Sequence, residues 1–226
     1  METYVEVQDT PYQQGARKLK LDVSASLETV LTHPECPLFL QGALRGKVTW
    51  QKRNEYSVKK TLLAPGLAPQ WVGALLAWGA WVVFDDGSEQ LLAELMESAR
   101  KPNNLTALYL PLDVPGRCWA EARTGSTPAD FPIVWAMAVV DLDGGVAKEA
   151  RLALTGTWRQ SVTLAKSVDL LLSKPLDEES IQQAAAAVER EVSPTEDYRG
   201  SVEYRAAMAG SMTHRALQSC KEGAEA

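Results

Sequence analysis

Two histidines, three cysteines and the aspartates Asp141 and Asp143 are the residues of this chain best placed to do chemistry. A hydrolytic triad would need His33 or His214 as its general base, and neither lies near a nucleophile motif of the Gly-x-Ser-x-Gly kind. Solvated histidines on a loop or helix are the commoner case. Asp141-x-Asp143-Gly144 opens like a calcium-binding loop, but its twelfth position is Leu152 where a bidentate glutamate belongs. The same residues are better explained as a hairpin turn. Cys36, Cys118 and Cys220 are far apart, with no Cys-x-x-Cys spacing, and read as buried or inert thiols in a reducing compartment. There is neither a Gly-x-x-x-x-Gly-Lys-Ser/Thr loop nor a Gly-x-Gly-x-x-Gly turn to cradle phosphate. Tryptophans at 50, 71, 78, 81, 119, 135 and 158 could stack an aromatic ligand. Most sit in apolar periodic stretches, which favours packing in the core or at a subunit interface. Residue chemistry alone therefore predicts no catalytic residue and no metal site.

The elements that would position such residues are those of an ordinary globular chain. Of 226 residues, 46% are hydrophobic and 23% charged, and the net charge of −6 disfavours a nucleic-acid-binding surface. No run of eighteen apolar residues is present, so no membrane-spanning helix is expected, and the polar, acidic N-terminus is unlike a signal peptide. A cytoplasmic location is the expectation. Ser24–Leu31 reads as a short capped helix, Cys36–Leu40 and Lys47–Trp50 as strands, and Pro69–Trp78 as an apolar helix. A strand over Ala80–Phe84, a helix with Leu91, Leu92, Leu95, Met96 and Ala99 on one face, and a strand over Leu105–Leu112 follow.

Beyond Pro115, three antiparallel strands are expected over Arg117–Arg123, Ile133–Leu142 and Val146–Leu154. The last two are joined by Asp143-Gly144-Gly145, residues that accept positive φ. The Ile133 strand is apolar on both faces, with Ile133, Trp135, Met137 and Val139 on one of them, and should be covered on both sides. Three helices complete the chain. One carries the stripe Leu164, Val168, Leu171; one presents Ile181, Ala184, Ala185, Val188 and Val192; the last runs from Ser201 to about Gln218 with Val202, Ala206, Ala209 and Ala216 inward. A frayed tail is expected from Cys220. The fold class is α+β.

The C-terminal stretch Glu196-Asp-Tyr-Arg-Gly-Ser-Val-Glu-Tyr-Arg205, leading into Thr213-His-Arg-Ala-Leu217, resembles the last helix of the FAD-binding middle subunits of molybdenum hydroxylases, the xanthine dehydrogenase and carbon monoxide dehydrogenase family. Val146–Thr157, Ser167–Leu172, Arg123–Ala136 and Ala68–Val82 are similar to further family segments in the same order. The resemblance implies a two-part chain: residues 1–113 a shortened FAD-binding-type α+β domain, residues 114–222 the family's C-terminal domain of sheet plus three helices, and residues 223–226 a tail. It also implies a molybdopterin-binding large subunit and a [2Fe–2S] small subunit as partners, those cofactors residing in them and not in this chain.

The family holds FAD with two glycine-rich loops, whose backbone N–H groups close on the pyrophosphate where no Cβ intervenes. This chain departs from both. At the first site only Gly42 remains, with Arg45 and Lys47 the nearest positive charges. At the second, Ser57-Val-Lys-Lys-Thr61 stands where Gly-Gly-Asn is expected. Asp130 matches a family position near the flavin. Gly42, Arg45, Lys47 and Asp130 are thus the residues that would touch FAD if the site is retained. Three readings follow: a flavin-less member, FAD bound in an altered way, or an N-terminal part remodelled to bind a partner.

Overall fold

In the computed structural model, which describes residues 4–7, 17–98, 104–125 and 131–225, the chain divides into two units, Met1–Val114 and Pro115–Ala226. The first opens on two antiparallel strands, β1 (Tyr4–Val7) and β2 (Arg17–Asp22). Four short helices follow: α1 (Leu27–Thr32), α2 (Leu38–Leu44), α3 (Trp50–Glu55) and α4 (Val58–Leu63). Then come α5 (Pro69–Trp78), β3 (Trp81–Phe84), β4 (Glu89–Leu91), α6 (Leu92–Glu97) and β5 (Leu105–Pro111). The five strands form one antiparallel sheet in the order β1-β2-β5-β3-β4.

Two stretches expected as strands are not strands: Cys36–Leu40 leads into α2, and Lys47–Trp50 is the turn that leads into α3. Cys36–Leu40 runs into α2 because Pro37 stands at its N-cap and Phe39, Leu40, Ala43 and Leu44 are the residues it buries, spaced for one helix face. At Lys47–Trp50, the Thr49 side chain caps α3 by accepting from the Lys52 N–H. Val48 is buried just ahead of that cap.

Strand alternation gives the sheet two distinct faces. Leu19, Leu21, Val82, Leu108 and Leu110 share one, and Lys18, Lys20, Trp81 and Tyr109 share the other. On the second face Trp81 stacks on Tyr109, with ring centroids 5.7 Å apart, and the Lys18 ammonium lies 4.5 Å from the Tyr109 ring centre. Helix α5 buries every residue from Gln70 to Trp78 and ends at Gly79 in the left-handed conformation. The tryptophans here are core residues with satisfied N–H groups: Trp71 donates to Thr61 Oγ1 (3.1 Å) and Trp78 to the Pro111 carbonyl (2.6 Å). Trp78 also stacks on Phe39. Trp50 is the exception, 65% exposed.

The second unit is an antiparallel sheet of β6 (Arg117–Thr124), β7 (Val134–Asp143), β8 (Val146–Thr155) and β9 (Thr163–Leu164), with α7 (Glu178–Glu191) and α8 (Val202–Glu225). The fourth strand is a two-residue addition to the expected three. Gly144 and Gly145 turn the β7–β8 hairpin at φ 56° and 83°. Register places Cys118, Ala120 and Ala122 opposite Val140, Ala138 and Ala136, and these face Ala150, Leu152 and Leu154 of β8. This face of small side chains belongs to one apolar core with Ile181, Ala184 and Val188 of α7 and Ala209, Met212, Ala216 and Cys220 of α8. Ile133, expected beside Trp135, belongs to this same core. Trp135, Met137 and Val139 are buried on the opposite face, the Trp135 N–H donating to Glu121.

The Leu164–Leu171 stripe resolves into β9 and a 3-10 turn over Lys166–Leu171. The Glu191 carboxylate holds that turn by accepting from the Lys166 and Ser167 N–H groups at 2.8 and 2.7 Å. Asp177 caps α7. In α8, Val202 is exposed rather than inward, and the expected frayed tail is helix through Glu225 because Cys220 continues the buried stripe of 209, 212 and 216.

Candidate functional site

In the reading from sequence, flavin binding would depend on two stretches of the first unit; in the structure one is α2 with the turn after it and the other is α4 with its cap. Gly42 lies inside α2, not in a loop, and is absent from the glycines with positive φ. Arg45 is exposed at the C-cap of that helix, its N–H donating to the Gln41 carbonyl. Gly46 adopts φ 71° and Lys47 after it is only 5% exposed, its N–H donating to the Leu44 carbonyl. Asp130 lies outside the described residues.

At the second stretch, Ser57 caps α4 and a bridge pairs it with Ser26, the cap of α1. The leading donors of α4 are all taken: Val58 N–H goes to the Ala25 carbonyl (2.9 Å), Lys59 N–H to Val23 (2.7 Å) and Lys60 N–H to Ser57 Oγ (3.2 Å). The start of α1 is engaged in the same way, Leu27 N–H to the Tyr56 carbonyl and Thr29 N–H to Ser26 Oγ. The lysines at the glycine positions are held as well. Lys60 pairs with Glu55 and lies over the Tyr56 ring, and Lys59 has a partner. A pyrophosphate cradle needs glycine backbone with unengaged N–H groups converging on one point. The residues present do not fit that group. A capped helix over Ser24–Leu31 was legible in the sequence, whereas the helix capped by Ser57 and the bridge between Ser57 and Ser26 were not.

The second unit contains two charged centres, and both are structural. Arg117 forks onto Asp141 with two 2.6 Å contacts, and Arg151 joins the same carboxylate at 3.7 Å and also pairs with Glu149. Burial, reinforced by the neighbouring Arg117 charge, lowers the Arg151 guanidinium to about 10. With Asp141 held there and Asp143 paired with Lys148, the calcium-like spacing is a hairpin whose two aspartates are both ion-paired. No cluster of three or more metal-ligating side chains occurs among the described residues.

The second centre is Arg205. It is buried and donates to the carbonyls of Ile133 (3.0 Å) and Gly156 (3.1 Å) and to Asp197 Oδ1 (2.6 Å). Asp197 also accepts from the Arg199 N–H. That bond and the Arg205 contact hold the Asp197 carboxyl below its ordinary value. The Asp197–Arg205 motif thus ties the entry of β7, the exit of β8 and the entry of α8 into one knot. His214 pairs with Glu178 across α7 and α8, and His33 Nδ1 accepts from the Glu35 N–H. Neither histidine meets a nucleophile in these contacts.

A surface concavity of about 710 Å³ opens where the β7–β8 hairpin meets the end of α8, lined by Cys118, Trp119, Leu142, Leu176 and Lys221 among others. Among the described residues no helix is long and apolar enough to cross a membrane.

With this geometry in view, the similarities to known proteins are consistent. Residues 125–220 match the CO dehydrogenase flavoprotein C-terminal domain. The medium chain of carbon monoxide dehydrogenase from Afipia carboxidovorans is 29% identical over 121 residues, 54% of this chain and 42% of that protein. The corresponding chain from Hydrogenophaga pseudoflava is 29% identical over 113 residues, 50% of this chain and 39% of that protein. The chain thus spans about two fifths of the length of the curated relatives it matches. In fold it is similar to a solved carbon monoxide dehydrogenase from H. pseudoflava, with a TM-score of 0.76 at 22% identity, covering 90% of this chain and 75% of that one. Quinoline 2-oxidoreductase from Pseudomonas putida 86 gives a TM-score of 0.74 at 20% identity, covering 92% and 76%.

Proposed function

We propose, from the premise that residues 125–220 belong to the CO dehydrogenase flavoprotein C-terminal domain family, that this chain is a medium-type subunit of a molybdenum hydroxylase complex whose flavin site has been lost and whose role is structural. Its partners in this reading are a molybdopterin-binding large subunit and a [2Fe–2S] small subunit, which carry the redox groups, in the cytoplasm. The observation that supports it most is the state of α4. The Val58, Lys59 and Lys60 N–H groups are bonded within the protein at the place where a phosphate loop would present them to a ligand. In such a complex the redox chemistry would be supplied by groups held in the partner subunits, and this chain would hold those subunits together or dock an external electron acceptor.

The test is purification of the full chain, tagged, from its source cells, with iron, molybdenum and flavin determined in the product. The proposal predicts two companion polypeptides, iron and molybdenum in fixed proportion to the chain, and no flavin absorption attributable to it. One FAD per chain would contradict the lost site, and a chain that purifies alone and metal-free would contradict the assembly.

A further inference from the structure

We propose that the concavity of about 710 Å³ in the second unit is a binding site for a small apolar carboxylate, with Lys221 as its anchor. The volume falls within the range of small-molecule pockets, about 300–1,000 Å³. Every residue lining it belongs to the second unit, so the site is independent of the flavin reading, which rests on the first.

The walls are tied together by the backbone. Just ahead of β6, the Gly116 carbonyl accepts from the Leu142 N–H (2.9 Å), and a Cβ at Gly116 would lie 2.1 Å from the Leu142 carbonyl oxygen. The Leu176 N–H donates to the Gly145 carbonyl (3.2 Å), which fastens the tip of the β7–β8 hairpin to the approach to α7. The cavity is therefore built into the fold. Missing side chains keep it open: a Cβ added at Gly144, Gly145 or Gly223 would meet nothing within 4 Å. Cys118, Leu142 and Leu176 also line it and belong to, or pack against, the apolar core of the unit, so they supply hydrophobic contact.

The charge is one-sided. Among the described residues Arg117 and Lys221 line the cavity and no acidic residue does, in a chain whose net charge is −6. The Arg117 fork is taken up by Asp141. Lys221 joins no ion pair among the described residues; Asp177 feels its charge, but the Asp177 carboxylate caps α7 by accepting from the Ser180 N–H. One ammonium beside apolar contact selects one anionic group on an apolar body. A phosphate would call for the planar fork of an arginine as well, and that of Arg117 is occupied.

The experiment titrates the isotope-labelled full chain with naphthoate and with its neutral counterpart naphthamide, following the amide signals of Gly116, Gly144, Gly145 and Gly223 by NMR. The expected result is saturable movement of these signals by naphthoate with a Kd of about 0.1–1 mM, the range for a ligand of this size. Naphthamide should bind at least about tenfold more weakly, because it lacks the charge that Lys221 meets. Lys221→Gln should reduce naphthoate to the level of the amide. Gly223→Leu, which puts a side chain into the open space and favours the helix, should abolish binding of both. The comparison of acid and amide on the wild-type chain needs no variant to fold and decides the matter by itself. Equal affinity for the two, movement of other signals while these four stay still, or no saturation up to about 10 mM would overturn the proposal.

Discussion

Arg205 shows how a single side chain can turn a sequence motif into architecture. Its guanidinium satisfies three backbone carbonyls, those of Ile133, Gly156 and Gly200, and the Asp197 carboxylate, from three separate segments. Arg205→Ala should destabilise the second unit by about 2–4 kcal/mol in denaturant unfolding, because two buried acceptors and a charge lose their partner together. Gly156 belongs to the same knot. It sits at φ 79°, and a Cβ there would lie 2.0 Å from the Ile133 carbonyl oxygen. Gly156→Ala should therefore cost more than about 2 kcal/mol, and an unchanged unfolding midpoint would contradict the close approach. In the first unit, restoring a glycine pair at Ala43 beside Gly42 should not create a phosphate site. Ala43 is buried in α2, so Ala43→Gly should lower stability by about 1 kcal/mol and leave flavin fluorescence unquenched. The sequence marked Asp197–Arg205 as a family motif, but not as a structural knot, because its bonding partners at Ile133 and Gly156 are 72 and 49 residues distant.

At the scale of elements, long periodic segments were legible and short polar ones were not. The apolar run of α5, the β7–β8 hairpin with its two glycines, and the i, i+3, i+4 face of α7 follow from periodicity that burial on one face enforces. α2 and α3 escaped because Cys36–Leu40 and Lys47–Trp50 carry β-compatible residues, while their structure is decided by Pro37 and Thr49 at the helix caps. The engaged N–H groups of Val58 and Lys59 were beyond reach for a different reason: their acceptors, the Ala25 and Val23 carbonyls, lie on the segment ahead of α1, about 35 residues earlier. The entry to α8 makes a pH-dependent prediction. Asp197 is held below its ordinary value when folded, so its stabilisation is complete above the unfolded value near 4 and is lost as pH falls through the folded one. Asp197→Asn should melt lower than wild type at neutral pH, with the difference closing below about pH 4. A constant difference across that range would show that the carboxylate contributes nothing through its charge. Deleting Val202–Glu225 should abolish cooperative unfolding of the second unit, since α8 covers the alanine-lined face of β6 and β7.

Taken whole, the molecule joins a second unit that matches a flavoprotein C-terminal domain to a first unit in which the segments expected to face a flavin are closed by their own backbone. The match in fold extends across 90% of the chain, so the departure lies in the loops and not in the scaffold. Glycine loops that open toward a pyrophosphate and serine-capped helices that bond to a neighbouring segment are alternative uses of the same N–H groups. The choice between them carries the account, and titration of the purified full chain with FAD, followed by flavin fluorescence, tests it most directly. The account predicts no saturable quenching up to about millimolar FAD, where even a weak site of a few kcal/mol would register. Saturable binding at micromolar FAD, weakened by Arg45→Ala or Lys47→Ala, would contradict it and make the chain a working flavoprotein subunit.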